Sequence, residues 1–234
     1  MVGESTQSGR PLVVAIDGPS GSGKSSTSRG VAQRLGLAYL DTGAMYRAAT
    51  WLAVERGVDL TDSAAVAGLI AAADIEIRLD PAEPSISIEG NDVTEAIRAP
   101  EVSAEVSSIA TNLDVRADLI ARQRQLISGA VSGIVVEGRD ITTVVAPDAA
   151  VRVLLVADPA ARVARRHAEL GEHIDGADVT DQVIRRDRDD SAVAQFHSAA
   201  PGVTVIDSTY LTLEQVIDAI CGLVPVGATG DQLS

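Results

Sequence analysis

The sequence predicts an α/β protein with a central parallel sheet covered by helices on both faces, an inserted β-containing segment and a short helical lid. Three observations predict it. Unbroken apolar runs such as "PLVVAID" (11–17) and "VRVLLVA" (151–157) lack the alternation of half-exposed strands, so both of their faces should be buried. Stretches of helical periodicity separate these runs, as βαβ crossovers require. A glycine-rich turn, "GPSGSGKSS" (18–26), joins the first run to a helix.

Taken in order, "PLVVAID" is the first strand, and a helix runs from about Gly23 to Leu35, where Gly36 stops it. "LAYLD" (37–41) is the second strand, followed by a helix from Ala44 that carries Trp51 towards the core. The middle breaks this rhythm. "IEIRLD" (75–80) and "SISIEG" (85–90) alternate with period two around "PAEP", which predicts a hairpin rather than a crossover unit. Residues 60–112 therefore read as an insert into a core made of 11–59 and 113–224. Three more buried strands follow at "GIVVEG" (133–138), "VRVLLVA" and "VTVID" (203–207), before a closing helix at 212–224. A polar stretch, "ELGEHIDGADV", between two arginine-bearing helices predicts a lid over about 158–190. Both ends, 1–10 and 225–234, are polar, rich in small residues and expected to be loose.

Composition narrows the function. The 234 residues are 46% hydrophobic but only 2% aromatic, so aliphatic side chains must fill the core. A net charge of −14 argues against nucleic acid or an anionic membrane as the main partner. Cys221 is the single cysteine, which excludes a disulfide framework and a cysteine-based metal site. No apolar run approaches ~18 residues and the N-terminus has no apolar signal core, so a soluble cytoplasmic protein is expected. No heptad seam stands out, which predicts a monomer, and His167, His173 and His197 show no ligand spacing.

The turn at 18–26 fits G-x-x-x-x-G-K-[ST] and stands where such a motif has meaning, after a strand and at the opening of a helix. Gly18, Pro19, Ser20, Gly21, Ser22, Gly23, Lys24, Ser25 and Ser26 form a cup whose backbone N–H groups and helix N-terminus suit the phosphates of ATP. The Ser25 hydroxyl suits the accompanying Mg²⁺. Of the 19 basic residues Lys24 is the one lysine. A compact ammonium on a thin stem fits between β- and γ-phosphates, where a planar guanidinium is too bulky.

Arginines at three further places point to a second anion. Arg47, in "LDTGAMYR" (40–47), follows the second strand at the rim where the loop lies, although that position equally fits a surface arginine. Arg139 and Asp140, in "VVEGRD" (135–140), end a buried strand, where charge is costly unless it binds something or the two pair with each other. Arg162, Arg165, Arg166, Arg185, Arg186 and Arg188 flank the lid, as a clamp for a triphosphate or as salt bridges to neighbouring aspartates. No Asn-Lys-x-Asp guanine motif occurs, so the pattern favours a kinase over a GTPase. A small phosphate-loop kinase of another acceptor, or an ATP-binding switch, remains a rival reading.

Several pieces together resemble the bacterial cytidylate kinases, of the nucleoside monophosphate kinase group. They are "IDGPSGSGKSS" (16–26), "LDTGAMYRA" (40–48), "GNDVTEAIRAPEVS" (90–103), "VRADLIARQR" (115–124), "VVEGRDITTVVAPDA" (135–149), "RRDRDDS" (185–191) and "IDST" (206–209), in the family's order over nearly the whole chain. The resemblance implies a P-loop fold whose insert binds the monophosphate, and transfer of the ATP γ-phosphoryl group to CMP or dCMP. It implies Arg47 and Arg139 as ligands of the acceptor phosphate, and Ser107, Arg116 and Asp140 as readers of cytosine with Thr42 nearby. It implies Arg186 and Asp190 holding the acceptor from the lid, while Arg162 and Arg166, from the arginine cluster, are expected on the ATP side. Val193 departs from it, standing where many relatives carry an arginine.

Overall fold

Val13–Asp17 forms β1, and Val14, Ala15 and Ile16 have no exposed surface, as a strand covered on both faces requires. The chain is described by a computed structural model over residues 11–170 and 199–227. The phosphate-loop turn leads into α1 (Lys24–Leu35), which Gly36 ends in the left-handed conformation at φ 65°. Next come β2 (Ala38–Asp41) and α2 (Thr42–Glu55). This helix begins two residues before the expected Ala44, because the Asp41 side chain accepts from the Ala44 N–H and caps it. α3 (Ser63–Ala72) precedes β3 (Ile75–Arg78), β4 (Ser85–Ile88) and β5 (Asn91–Asp92).

A 3₁₀ turn at Ala96–Arg98 leads to α4 (Pro100–Ala110) and α5 (Leu113–Gly129). Then follow β6 (Ile134–Gly138), a π turn at Ile141–Val145, β7 (Val151–Val156), α6 (Pro159–Leu170), β8 (Thr204–Asp207) and α7 (Leu213–Cys221).

The five strands expected from apolar runs make one parallel sheet in the order β2-β6-β1-β7-β8. Alternate side chains of each strand enter different cores. Ala15, Leu40, Ile134 and Val136 face a cluster built with α2, α3 and α5. Val14, Ile16, Tyr39 and Val135 face a second cluster with Val31 of α1 and Val216, Ile217 and Ile220 of α7. Trp51 is half-buried against the first cluster.

The expected hairpin is present, with Ile75 opposite Ile88 and Ile77 opposite Ile86. β5 adds a third antiparallel strand that the sequence did not reveal, since its two residues are both exposed. Ile86 and Ile88 point into the same cluster as α2 and β6, so this small sheet shares the core of the large one. Arg29 on α1 donates to the carbonyls of Pro81 (3.0 Å) and Ala82 (3.2 Å), tying the hairpin turn to the helix of the phosphate loop.

At the carboxyl edge, one buried carboxylate shapes the exit of β6. Asp17 accepts from the N–H groups of Ile141 (2.8 Å) and Thr142 (2.9 Å) and from the Thr142 hydroxyl (2.6 Å). Burial raises its pKa, while these bonds act in the opposite direction. Asp17→Ala would leave two buried backbone donors without an acceptor and should destabilise the fold by about 3 kcal/mol, read as a lower midpoint in urea unfolding.

Candidate active site

The turn between β1 and α1 closes on itself before it meets any ligand. The Ser22 hydroxyl (3.0 Å) and Lys24 Nζ (2.8 Å) both donate to the carbonyl of Pro19. Gly21 is left-handed at φ 74°, and a β-carbon there would lie 2.6 Å from the Arg162 carbonyl. Helix α6 is thus pressed against the loop backbone. The buried Arg162 donates to the carbonyl of Ser20 at 3.1 Å. Behind the loop, the Ser208 hydroxyl donates to the Ser22 carbonyl (3.1 Å) and accepts from Arg165 (3.0 Å), which also grips the Ser208 carbonyl (2.6 Å).

Ser20, Gly21, Gly23, Lys24, Ser25 and Ser26 face a cavity of about 560 Å³, whereas Gly18, Pro19 and Ser22 lie outside its lining and support the turn. Thr42, Arg47, Arg116, Arg139 and Asp140 line the same cavity. Five residues expected on sequence grounds to meet a second anion or its base therefore share one space with the phosphate loop.

Their local partners are specific. Arg139 donates to the carbonyl of Gly18 at 2.5 Å, a link between the exits of β6 and β1. Asp140 pairs with Arg116 at 2.5 Å, each side chain about nine-tenths buried at 10% and 13% exposure. The alternative of an Arg139–Asp140 ion pair is thereby replaced by two partners from different elements. Arg47 pairs with Asp41 at 2.9 Å, and its buried Nε has no hydrogen-bond partner among the described residues. The Thr42 hydroxyl donates to the Glu137 carbonyl at 2.7 Å.

Ser107 is half-buried on α4 but does not line the cavity, although Val106 and Ala110 of the same helix do. Arg186, Asp190 and Val193 lie outside the described residues, as do the side chain of Arg166 and most of the expected lid.

Sequence reasoning passed over three residues here. Glu137 is a fully buried carboxylate that lines the cavity and accepts from Tyr39 at 2.5 Å. Burial and the nearby Asp41 push its pKa up, against the pull of Lys24. Tyr39 itself is held neutral by burial beside Glu137. Tyr46 lines the wall next to Arg116, and burial pushes its phenol up to about 12. The signal for Glu137 was a carboxylate within a buried apolar strand, and Tyr46 lay inside a quoted motif. The Ser25 hydroxyl lines the cavity and, with phosphate oxygens, suits a hard divalent cation, whereas the carboxylates of Asp41 and Glu137 are already engaged by Ala44 and Arg47 and by Tyr39.

Comparison with known proteins identifies the family. The family model described as cytidylate kinase matches residues 14–225. The cytidylate kinase of Cutibacterium acnes is 59% identical over 217 residues, covering 92% of this chain and 97% of that protein. The cytidylate kinase of Streptomyces avermitilis is 46% identical, covering 91% of this chain and 92% of its own length. A crystal structure of an uncharacterized protein from Eubacterium ventriosum shares the fold with a TM-score of 0.51 at 11% identity, covering 91% of this chain and 98% of that one. This chain belongs to the cytidylate kinase family.

Proposed function

We propose that the protein transfers the γ-phosphoryl group of ATP to CMP or dCMP, giving ADP and CDP or dCDP. The observation that carries this reading is the single cavity shared by a phosphate loop and a wall of arginines. A nucleotide-dependent switch needs no second anion site. Membership of the cytidylate kinase family supports the same reaction and names the base.

The acceptor phosphate is already ionised at neutral pH, so no general base is required. The task is to bring two polyanions into line and to keep water from the transferring group. The loop amides and Lys24 hold the donor phosphates, and the lysine acts as a point charge where a fork would not fit. Mg²⁺ would be held by Ser25 and the nucleotide phosphates, and when bound would supply charge neutralisation at the transferring group.

Arg47 and Arg139 receive the acceptor phosphate. An unmet buried donor costs about 1–3 kcal/mol, so a phosphate oxygen at Arg47 Nε would relieve a standing penalty in the site. The Arg116–Asp140 pair reads the cytosine edge beside the neutral phenol of Tyr46, with Thr42 as a further contact, and Ser107, off the lining in this structure, would join only if α4 shifts towards the base. A base that mismatches this pair leaves buried charges without partners.

Residues 60–112 form the inserted unit that receives the monophosphate, within a core of 11–59 and 113–224. Arg162, Arg166, Arg186 and Asp190 act from the lid side over 158–190, whereas the fork of Arg165 is spent on Ser208. The sequence shows no heptad seam, which favours a monomer, and a requirement for ATP and CMP favours the cytoplasm.

Two measurements test the reading. With ATP as donor, ADP formation should be fastest with CMP and dCMP, weaker with UMP and slight with AMP. An acceptor-independent ATPase, or a preference for AMP, would sink it. Lys24→Ala should keep its melting temperature and lose turnover by on the order of 10²-fold or more; near-normal turnover would remove Lys24 from the donor site.

A further inference from the structure

Asp41 is the last residue of β2, where parallel pairing sets it opposite Glu137 and fixes its backbone in the sheet. Its carboxylate has two tasks at once. One oxygen, Oδ1, accepts from the Ala44 N–H at 2.9 Å and caps α2. The other, Oδ2, accepts from an Arg47 terminal nitrogen at 2.9 Å. Both side chains are mostly buried, at 18% and 13% exposure, so this contact is not an ordinary surface pair weakened by solvent.

Between them lies Gly43. A β-carbon there would be 3.1 Å from Asp41 Oδ1 and 3.3 Å from an Arg47 terminal nitrogen, so the arginine folds back over a residue that has no side chain to obstruct it. The cap, the missing β-carbon and the ion pair converge on one guanidinium. They occupy one of its edges and leave the buried Nε as a donor without a partner among the described residues.

We propose that Asp41, with Gly43, is a positioning device for Arg47: it holds the guanidinium in the orientation that receives the acceptor phosphate, and so sets affinity for CMP without touching it. The inference rests on the acceptor role of Arg47 proposed above. A long flexible side chain loses rotamer freedom on binding, and a fork fixed beforehand has little left to lose. The chemical partner is a phosphomonoester dianion, which a guanidinium grips through two donors.

The test separates positioning from folding and from a direct role. Serine is a good helix cap but too short to reach Arg47 as well, so Asp41→Ser keeps α2 and releases the fork. Loss of one charged hydrogen bond predicts a rise of about tenfold in the KM for CMP, with the KM for ATP and the melting temperature nearly unchanged. In an Arg47→Ala background the same Asp41→Ser change should add nothing further.

Gly43→Ala supplies a second arm, since alanine favours the helix yet crowds both side chains. It should melt no lower than the parent and still show a raised KM for CMP. An equal loss from Asp41→Ser with and without Arg47 would overturn the proposal, as would a raised requirement for ATP or Mg²⁺ in its place. A Gly43→Ala protein with unchanged KM for CMP would also overturn it. If Arg47→Ala alone leaves the KM for CMP unchanged, the acceptor role of Arg47 falls, whatever Asp41 does.

Discussion

The parallel pairing of β1 with β6 is the constraint on which the rest of the structure depends. Its last register pair sets Asp17 opposite Gly138, so two chains that run the same way leave the sheet side by side. One exit becomes the phosphate loop and the other becomes Arg139-Asp140. Asp17 binds the turn after β6 through three hydrogen bonds, and Arg139 returns to the Gly18 carbonyl. β2 pairs with the other side of β6 and sets Asp41 opposite Glu137, which starts α2 and its Arg47 at the same edge. The phosphate loop, Arg139 and Arg47 are neighbours because three strand ends are neighbours.

The charge of the cavity opposes the charge of the molecule. The chain carries −14 overall, yet seven basic side chains line this space against three acidic ones. A local field of that sign attracts nucleotides that the whole surface would repel. Several of these cations are held by internal oxygens: Lys24 on Pro19, Arg139 on Gly18, Arg29 on the hairpin turn and Arg116 on Asp140. Held in this way, the guanidinium groups need little reorganisation when phosphate arrives, which is the economy that electrostatic catalysis depends on.

The parallel sheet was legible because burial on both faces leaves an unmistakable apolar run, and all five strands fall within a residue or two of their expected bounds. The phosphate loop was legible because its chemistry is local, a few residues whose order is their function. What was hidden depends on contacts between distant segments. Arg116, 24 residues before Asp140, is grouped with it only through the family resemblance and not by any local pattern, and nothing in "LDTG" announces that one carboxylate would both cap a helix and hold an arginine. β5 was invisible because two exposed residues carry no hydrophobic period. Glu137 was passed over as part of a strand, although a carboxylate in such a run has to be satisfied by its neighbours.

If donor and acceptor nucleotides meet in one cavity built from adjacent strand ends, a bisubstrate compound in which adenosine and cytidine are joined, 5′ to 5′, through a phosphate chain should reveal it in steady-state inhibition. One molecule should fill both halves, so inhibition should be competitive against ATP and also competitive against CMP. Inhibition competitive against one nucleotide and noncompetitive against the other would mean that the two nucleotides do not share a space.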